Sequence, residues 1–498
     1  MTTIQTVVEH LKNDTLDQVA DDTHVYTRSV QQFDNTSLVM IRQDGERFLL
    51  ATGESSLFDE LEGKLIEGEA KLCPLTHENR LVLNRYFAFT KPVAFGKDTP
   101  TMGLGDRLGL ASPGHIEALR HTKMKPILAQ QSIRELTLTN RKMTDIVDAA
   151  SYAVFQEGYT GGFGADGDHL KEEKDIAHAL SIGMSMITLD CSDYIPVGLN
   201  EKSEAELTAL YEQLPEDVRA YYEAEYLAGP FTVDEELTVT FDSKELMLSV
   251  LTYHEALKYM VHVYEQYVRK EDRAIDFEIS IDETETITTP SEHFFVSHEL
   301  TRKGVQVISL APRFCGEFQK GIDYIGDIVQ FEKELKEHAL IAKHFDYKLS
   351  IHSGSDKFKV FPIIAKHTEG IFHIKTAGTN WLEAIRIIAR KNPSLYRRMH
   401  VFALENFEKA QAYYHVTPDL NRIASLNDVA DTELEQYMND DAARQLFHIT
   451  YGLLLMEQDE AGQFVFRDAF FDTLSEYEDA YFNTLLKHIY KHLILLNF

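Results

Sequence analysis

The chain has 498 residues, 44% hydrophobic and 26% charged, an ordinary globular composition with material for one large domain plus additions. Lys and Arg number 49 against 80 Asp and Glu, and the resulting net charge of −31 excludes nucleic acid and anionic membrane surfaces as partners and demands local cations wherever an anion binds. Three cysteines without CxxC spacing exclude a disulfide framework and a structural zinc motif; with no ~18-residue apolar run and no basic-then-apolar N-terminus, the sequence reads as cytoplasmic.

In chain order, residues 1–98 read as a small α+β cap. Leu38 to Arg42 and Arg47 to Ala51 flank Asp44-Gly45, a dipeptide that supplies the positive φ angles of a tight hairpin turn. From Thr99 the pattern changes to repeated strand-then-helix units. Thr101 to Gly109 precedes Ser112-Pro113, an N-cap with proline in the first turn. Lys125 to Ser132 reads as a second strand, with helix across 137–157; the glycine-rich Tyr159 to Ala165 reads as a third and Met184 to Asp190 as a fourth. Residues 191–274 are too long for a βα loop, usually ~2–6 residues, and read as a mostly helical insertion. Units resume with a fifth strand, Ile275 to Asp282, then Thr289-Pro290 opening a helix that ends at Gly304. Val305 to Ala311 is the sixth strand, followed by a helix from Asp327. The seventh and eighth lie in Tyr347-Lys-Leu-Ser-Ile-His352 and Ile371-Phe-His-Ile-Lys375, with Asn380 and Glu383 as a capping-box start to the next helix. The count of eight predicts an α/β fold, a (β/α)8 TIM-type barrel over 99–395, with a helical C-terminal extension, 396–498, as a cap or oligomer contact.

Alternation places Lys348, Ser350 and His352 on one face of the seventh strand, and His373 and Lys375 on one face of the eighth. On the fifth it turns Glu278, Ser280 and Asp282 into the barrel, where buried carboxylates need partners. Asp168 and His169, in Gly164-Ala-Asp-Gly-Asp-His169, offer a base and an imidazole side by side, although an Asp there also suits a helix cap. If the register holds, His169, His352 and His373 converge from three strand ends. A lone buried histidine is ordinary, but three together point to a divalent metal such as Zn, Mn, Ni, Co or Fe. Gly103-x-Gly105 lacks the Walker and dinucleotide spacings, and no nucleophile motif is present.

These segments, together with Gly103-Leu-Gly-Asp-Arg-Leu-Gly109, the stretch from Glu278 to Glu283, Leu310-Ala-Pro-Arg-Phe314, Ile351-His-Ser-Gly-Ser-Asp-Lys357 and Lys375-Thr-Ala-Gly-Thr379, resemble the tagaturonate epimerase family, the uronate C4-epimerases of bacterial hexuronate catabolism. The resemblance spans most of 100–395. It implies metal-dependent interconversion of D-tagaturonate and D-fructuronate, with Asp168 and Glu278 as the acid/base pair, His169 and His352 on the metal, and Ser132 and Thr188 lining the sugar pocket. His373 joins the metal ligands by strand parity alone, and Arg313, Lys357 and Lys375 are the cations available to the sugar-acid carboxylate. A different metal-dependent barrel isomerase or aldolase would use nearly the same residue types, and a non-catalytic sugar-acid binding protein is the other class of reading.

Overall fold

Eight parallel strands close into a barrel in this computed structural model, which describes residues 4–498 apart from 14, 17–23, 44, 67–69, 283 and 285. They are β1 (Thr101–Gly103), β2 (Lys125–Ser132), β3 (Gly164–Leu170), β4 (Met186–Asp190), β5 (Asp276–Ile281), β6 (Ser309–Pro312), β7 (Lys348–Ile351) and β8 (Phe372–Lys375). Their order around the barrel follows the chain, and β8 returns to β1 through His373↔Thr101 and Lys375↔Gly103. The sequence reading places all but two within a few residues. The third strand starts at Gly164 and not at Tyr159, because the Tyr159 amide still bonds back to Val154 at the end of a helix and Gly162 turns the chain at φ +81. The sixth starts at Ser309 and not at Val305, whose amide is held by Leu300 in closing the helix Pro290–Arg302.

The stretch after β4 is an insertion, as its length requires. It holds helices Glu204–Tyr211, Glu216–Tyr226 and Ser243–Val263, and a two-stranded hairpin, Phe231–Thr232 with Thr238–Val239, that takes no part in the barrel. Asp242 and Glu245 form a reciprocal capping box at the start of the long helix. Tyr226, Phe231 and Phe241 pack with Phe294 and Phe295, fastening the insertion to the helix that follows β5.

The chain divides into two compact units: Met1–Val93 with Leu104–Ala165 and Ala377–Lys491, and Ala94–Gly103 with Asp166–Thr376 and His492–Phe498. In the first, an antiparallel five-stranded sheet lies within residues 24–74, and the expected hairpin pairs Arg42 with Arg47 around Gly45, at φ +86; Asp44 of that turn lies outside the described residues. Its core mixes aliphatic and aromatic side chains, with Trp381 stacked on Phe470 and donating to the Phe447 carbonyl at 2.7 Å. Helix Thr379–Lys391 begins one residue ahead of Asn380, so Asn380 is no N-cap; its amide reaches the Gly105 carbonyl.

In the second unit the lower end of the barrel is tied to the segment before β1. Asp276 accepts from the amides of Phe95 and Gly96 at 2.8 and 2.9 Å, and the Lys348 ammonium donates to the carbonyls of Gly96 and Thr99 at 2.9 and 2.7 Å. Burial lowers the Lys348 pKa to about 8. All three cysteines are free and buried. Among the described residues no helix is long and apolar enough to cross a membrane.

Candidate active site

Lys375 ends β8, and its buried ammonium collects four oxygens. Nζ lies 2.6 Å from Asp168, 2.7 Å from Thr188, 3.0 Å from Glu278 and 3.1 Å from Asp166. Asp166 and Asp168 come from β3, Thr188 from β4 and Glu278 from β5, three adjacent strands that Lys375 meets from β8 across the barrel. Glu278, wholly buried on β5, also accepts from Ser309 at 2.6 Å and pairs with His352 Nε2 at 2.8 Å; these are its register neighbours on β6 and the first residue past β7. Burial opposes the ionisation of Asp168 and Glu278, but the ammonium outweighs it and holds both below the usual carboxylate range, with His352 adding to the effect on Glu278. Asp166 differs: burial, reinforced by its two anionic neighbours, raises it to about 6.

Asp168 and His169 both reach this interior through a break in the alternation. Gly167 pairs with Ile187 and Leu170 with Leu189, so two residues of β3 stand opposite Thr188 alone. This is a β-bulge, and its second residue, His169, adopts φ +53, in the left-handed region that non-glycine residues rarely enter. Such backbone strain gathers at functional sites. His169 thereby meets His352, ring centres 4.8 Å apart.

The donor atoms of His169, Asp282 and His352 all lie within 4.8 Å of one another, two imidazoles and a carboxylate, the ligand set of many divalent transition-metal sites. Asp282 bonds His352 Nδ1 at 3.1 Å; burial disfavours the imidazolium, but Asp282 and Glu278 overcome it and raise the His352 pKa to about 9. Asp166, Asp168, Glu278 and Asp282 face one ammonium and one imidazolium, so the cluster carries excess negative charge that a divalent cation would balance. The residues present therefore fit such an ion. His373 does not join them: its Nδ1 pairs with Thr101 at 2.8 Å, its Nε2 has no partner among the described residues, and burial lowers its pKa to about 3.

The other expected residues separate by what their polar atoms already do. Lys375 is saturated by its four oxygens and has no donor for a sugar carboxylate. Lys357, wholly buried, donates to the carbonyls of Gln319, Ile322 and Ser355 at 2.8, 2.6 and 2.9 Å, clasping loops together. Thr188 spends its hydroxyl beneath the carboxylates, 2.9 Å from Asp166 and 3.2 Å from Glu278. Ser132, in the first unit, caps helix Ile133–Thr139 by accepting from the Glu135 amide at 3.4 Å. Arg313 follows β6 and is partly exposed. Asp166 is the participant that the sequence pattern does not single out, because a third strand read over 159–165 ends just before it. Glu283, the end of the stretch that begins at Glu278, lies outside the described residues.

The sequence profile of the tagaturonate epimerase family matches residues 26–496. The chain belongs to the tagaturonate epimerase family. It is thus an isomerase-type enzyme. A tagaturonate/fructuronate epimerase of Thermotoga maritima is 40% identical over 476 residues, 95% of this chain and 96% of that protein. The glycerol-bound crystal structure of a fructuronate-tagaturonate epimerase from Cohnella laeviribosi superposes with a TM-score of 0.95 at 55% identity, over 100% of both chains. The native crystal structure of the Cohnella protein gives 0.95 and 55% over 99% of each. The family's barrel is therefore the fold of this chain.

Proposed function

We propose that this protein interconverts D-tagaturonate and D-fructuronate in a divalent-metal-dependent reaction, with Asp168 and Glu278 as its proton carriers. Family membership supports the substrate, and one observation supports the chemistry: a single ammonium, Lys375, touches both carboxylates, at 2.6 and 3.0 Å, beside the His169, Asp282 and His352 donors. The epimerised carbon lies two bonds from the ketone, so its proton is not acidified as an α-proton is. Either the adjoining carbon–carbon bond breaks in a retro-aldol step and re-forms on the other face, or the ketone is first relayed inward. Both routes take a proton at one place and return it at another, work suited to two carboxylates held ionised on different strands. A divalent cation held by His169, Asp282 and His352 would polarise ketone and hydroxyl oxygens. Lys375 fixes the spacing of Asp168 and Glu278, Ser309 and His352 orient Glu278, and Thr188 braces the layer below.

The test is incubation with D-tagaturonate in deuterated water, followed by NMR. Fructuronate should form, chelation should stop it, and one of Zn, Mn, Ni, Co or Fe should restore it. Deuterium at the epimerised carbon marks direct exchange, and its absence marks the retro-aldol route. An aldose product or accumulating three-carbon fragments would replace the reading with an isomerase or an aldolase. Binding without turnover would make the protein a sugar-acid binder.

A further inference from the structure

The sequence leaves three cations for the substrate carboxylate, and the structure removes two of them. Lys357 is committed to three backbone carbonyls and Lys375 to four side-chain oxygens. Five arginines lie within 166–376. Arg219 and Arg273 donate to backbone carbonyls, and Arg269 and Arg302 pair with Glu265 and Glu225. Arg313 alone among these has a guanidinium with no hydrogen bond, ion pair or ring partner among the described residues.

Its position is nonetheless fixed. The backbone of Arg313 is pinned on both sides by Thr288, whose hydroxyl accepts from the Arg313 amide at 3.0 Å and whose own amide donates to the Arg313 carbonyl at 2.9 Å. Along β6 the side chain of Ser309 turns inward to Glu278, and alternation carries Ala311 and then Arg313 onto the same face. Register sets Arg313 one step past the pair Ile281↔Pro312, level with Asp282 at the rim. A partly covered arginine on backbone level with Asp282, its side chain without a partner among the described residues, has its planar fork of donors free for a carboxylate.

Resting on the epimerase reading above, we infer that Arg313 anchors the C6 carboxylate of the uronate and sets the preference for a sugar acid over a neutral ketose. The carboxylate stands two carbons from the epimerised centre, so anchoring it at the rim places that centre deeper, toward Asp168 and Glu278. A chain with a net charge of −31 repels an anion at long range, and a fixed bidentate partner at the rim offsets that.

Arg313→Met and Arg313→Lys in the full-length, metal-loaded enzyme test this, with kcat and KM measured for D-tagaturonate and for D-tagatose, its neutral C6 alcohol. Loss of a charge-assisted pair should raise KM for tagaturonate by about 10- to 100-fold with a smaller change in kcat. KM for tagatose, which has no carboxylate to lose, should change less than KM for tagaturonate, so the acid-over-neutral ratio falls. The lysine variant, which keeps charge but not the fork, should fall between. Metal content and Tm should not move. An unchanged acid-over-neutral ratio in Arg313→Met, with the parent enzyme converting tagaturonate normally, overturns the anchor alone. A parent enzyme that makes no fructuronate overturns the epimerase reading and the anchor with it.

Discussion

Replacing Lys375 with methionine keeps the length of the side chain and removes the charge on which three buried carboxylates converge. At an effective dielectric of about 20, an ion pair near 3 Å is worth roughly 5 kcal/mol, so losing three at once would cost more than the fold can bear. The protein has an escape, which is to take up a proton. Neutralising one ordinary carboxylate at pH 7 costs about 4 kcal/mol, some three pKa units at roughly 1.36 kcal/mol each, the same scale as the ~3–5 kcal/mol seen when a buried pair is broken. Asp166, already raised to about 6, would accept that proton. At ~2–4 °C per kcal/mol for a unit of this size, Tm at pH 7 should drop on the order of 10 °C. Adding Asp166→Asn supplies the neutral group in advance and should recover about half of the fall. Thermal melts of the parent, Lys375→Met and Lys375→Met/Asp166→Asn proteins give the answer. A single variant as stable as its parent, or a double variant no better than the single, would refute the shared-counterion account.

Glu278→Gln should cut kcat by about 100-fold or more and also lower Tm, because an amide brings N–H groups against donors from Ser309, His352 and Lys375; equal Tm for variant and parent would contradict those contacts. Asp168→Asn should lose a similar factor in kcat, and near-normal turnover would leave Asp168 a structural group. His352→Ala should lower bound metal by about 10-fold or more in elemental analysis, whereas His373→Asn, which alters only the Thr101 contact, should keep it; the reverse pattern would move the ligand set. His293 and His338 meet Nδ1 to Nδ1 at 2.9 Å, wholly buried, and burial depresses both pKa values, that of His338 to about 4. Folded-state values below the ordinary 6.5 mean that the pair contributes stability fully above that pH and loses it as pH falls toward 4. The Tm difference between the parent and His338→Gln should therefore shrink from pH 7 to 4.5, and a constant difference would clear the pair of that role.

What the sequence made legible was whatever depends on short-range period. Alternation along β5, β7 and β8 put Glu278, Asp282, His352 and Lys375 inside, and that parity is what the cluster uses. Capping chemistry marks Thr289-Pro290 as a helix start, and the Thr289 side chain does cap; the apolar face that places a helix from Asp327 is matched by a helix that Asp327 caps. The third strand was misplaced because glycines suit a strand end and a turn equally well, and only the φ of Gly162 decides between them. The competition among cations was also hidden, since the carbonyls that hold Lys357 come from Gln319 and Ile322, more than thirty residues away. Partner choice at that separation belongs to the tertiary fold and leaves no local pattern.

The extra residue in β3 bears on how such an enzyme could arise or be lost. With Asp168 and His169 both set against Thr188, one strand end brings together a carboxylate that meets Lys375 and an imidazole that meets His352. Deleting a single residue there would restore the ordinary pleat and swing one of the two to the helix side, taking it out of the cluster while leaving the register of every other strand as it is.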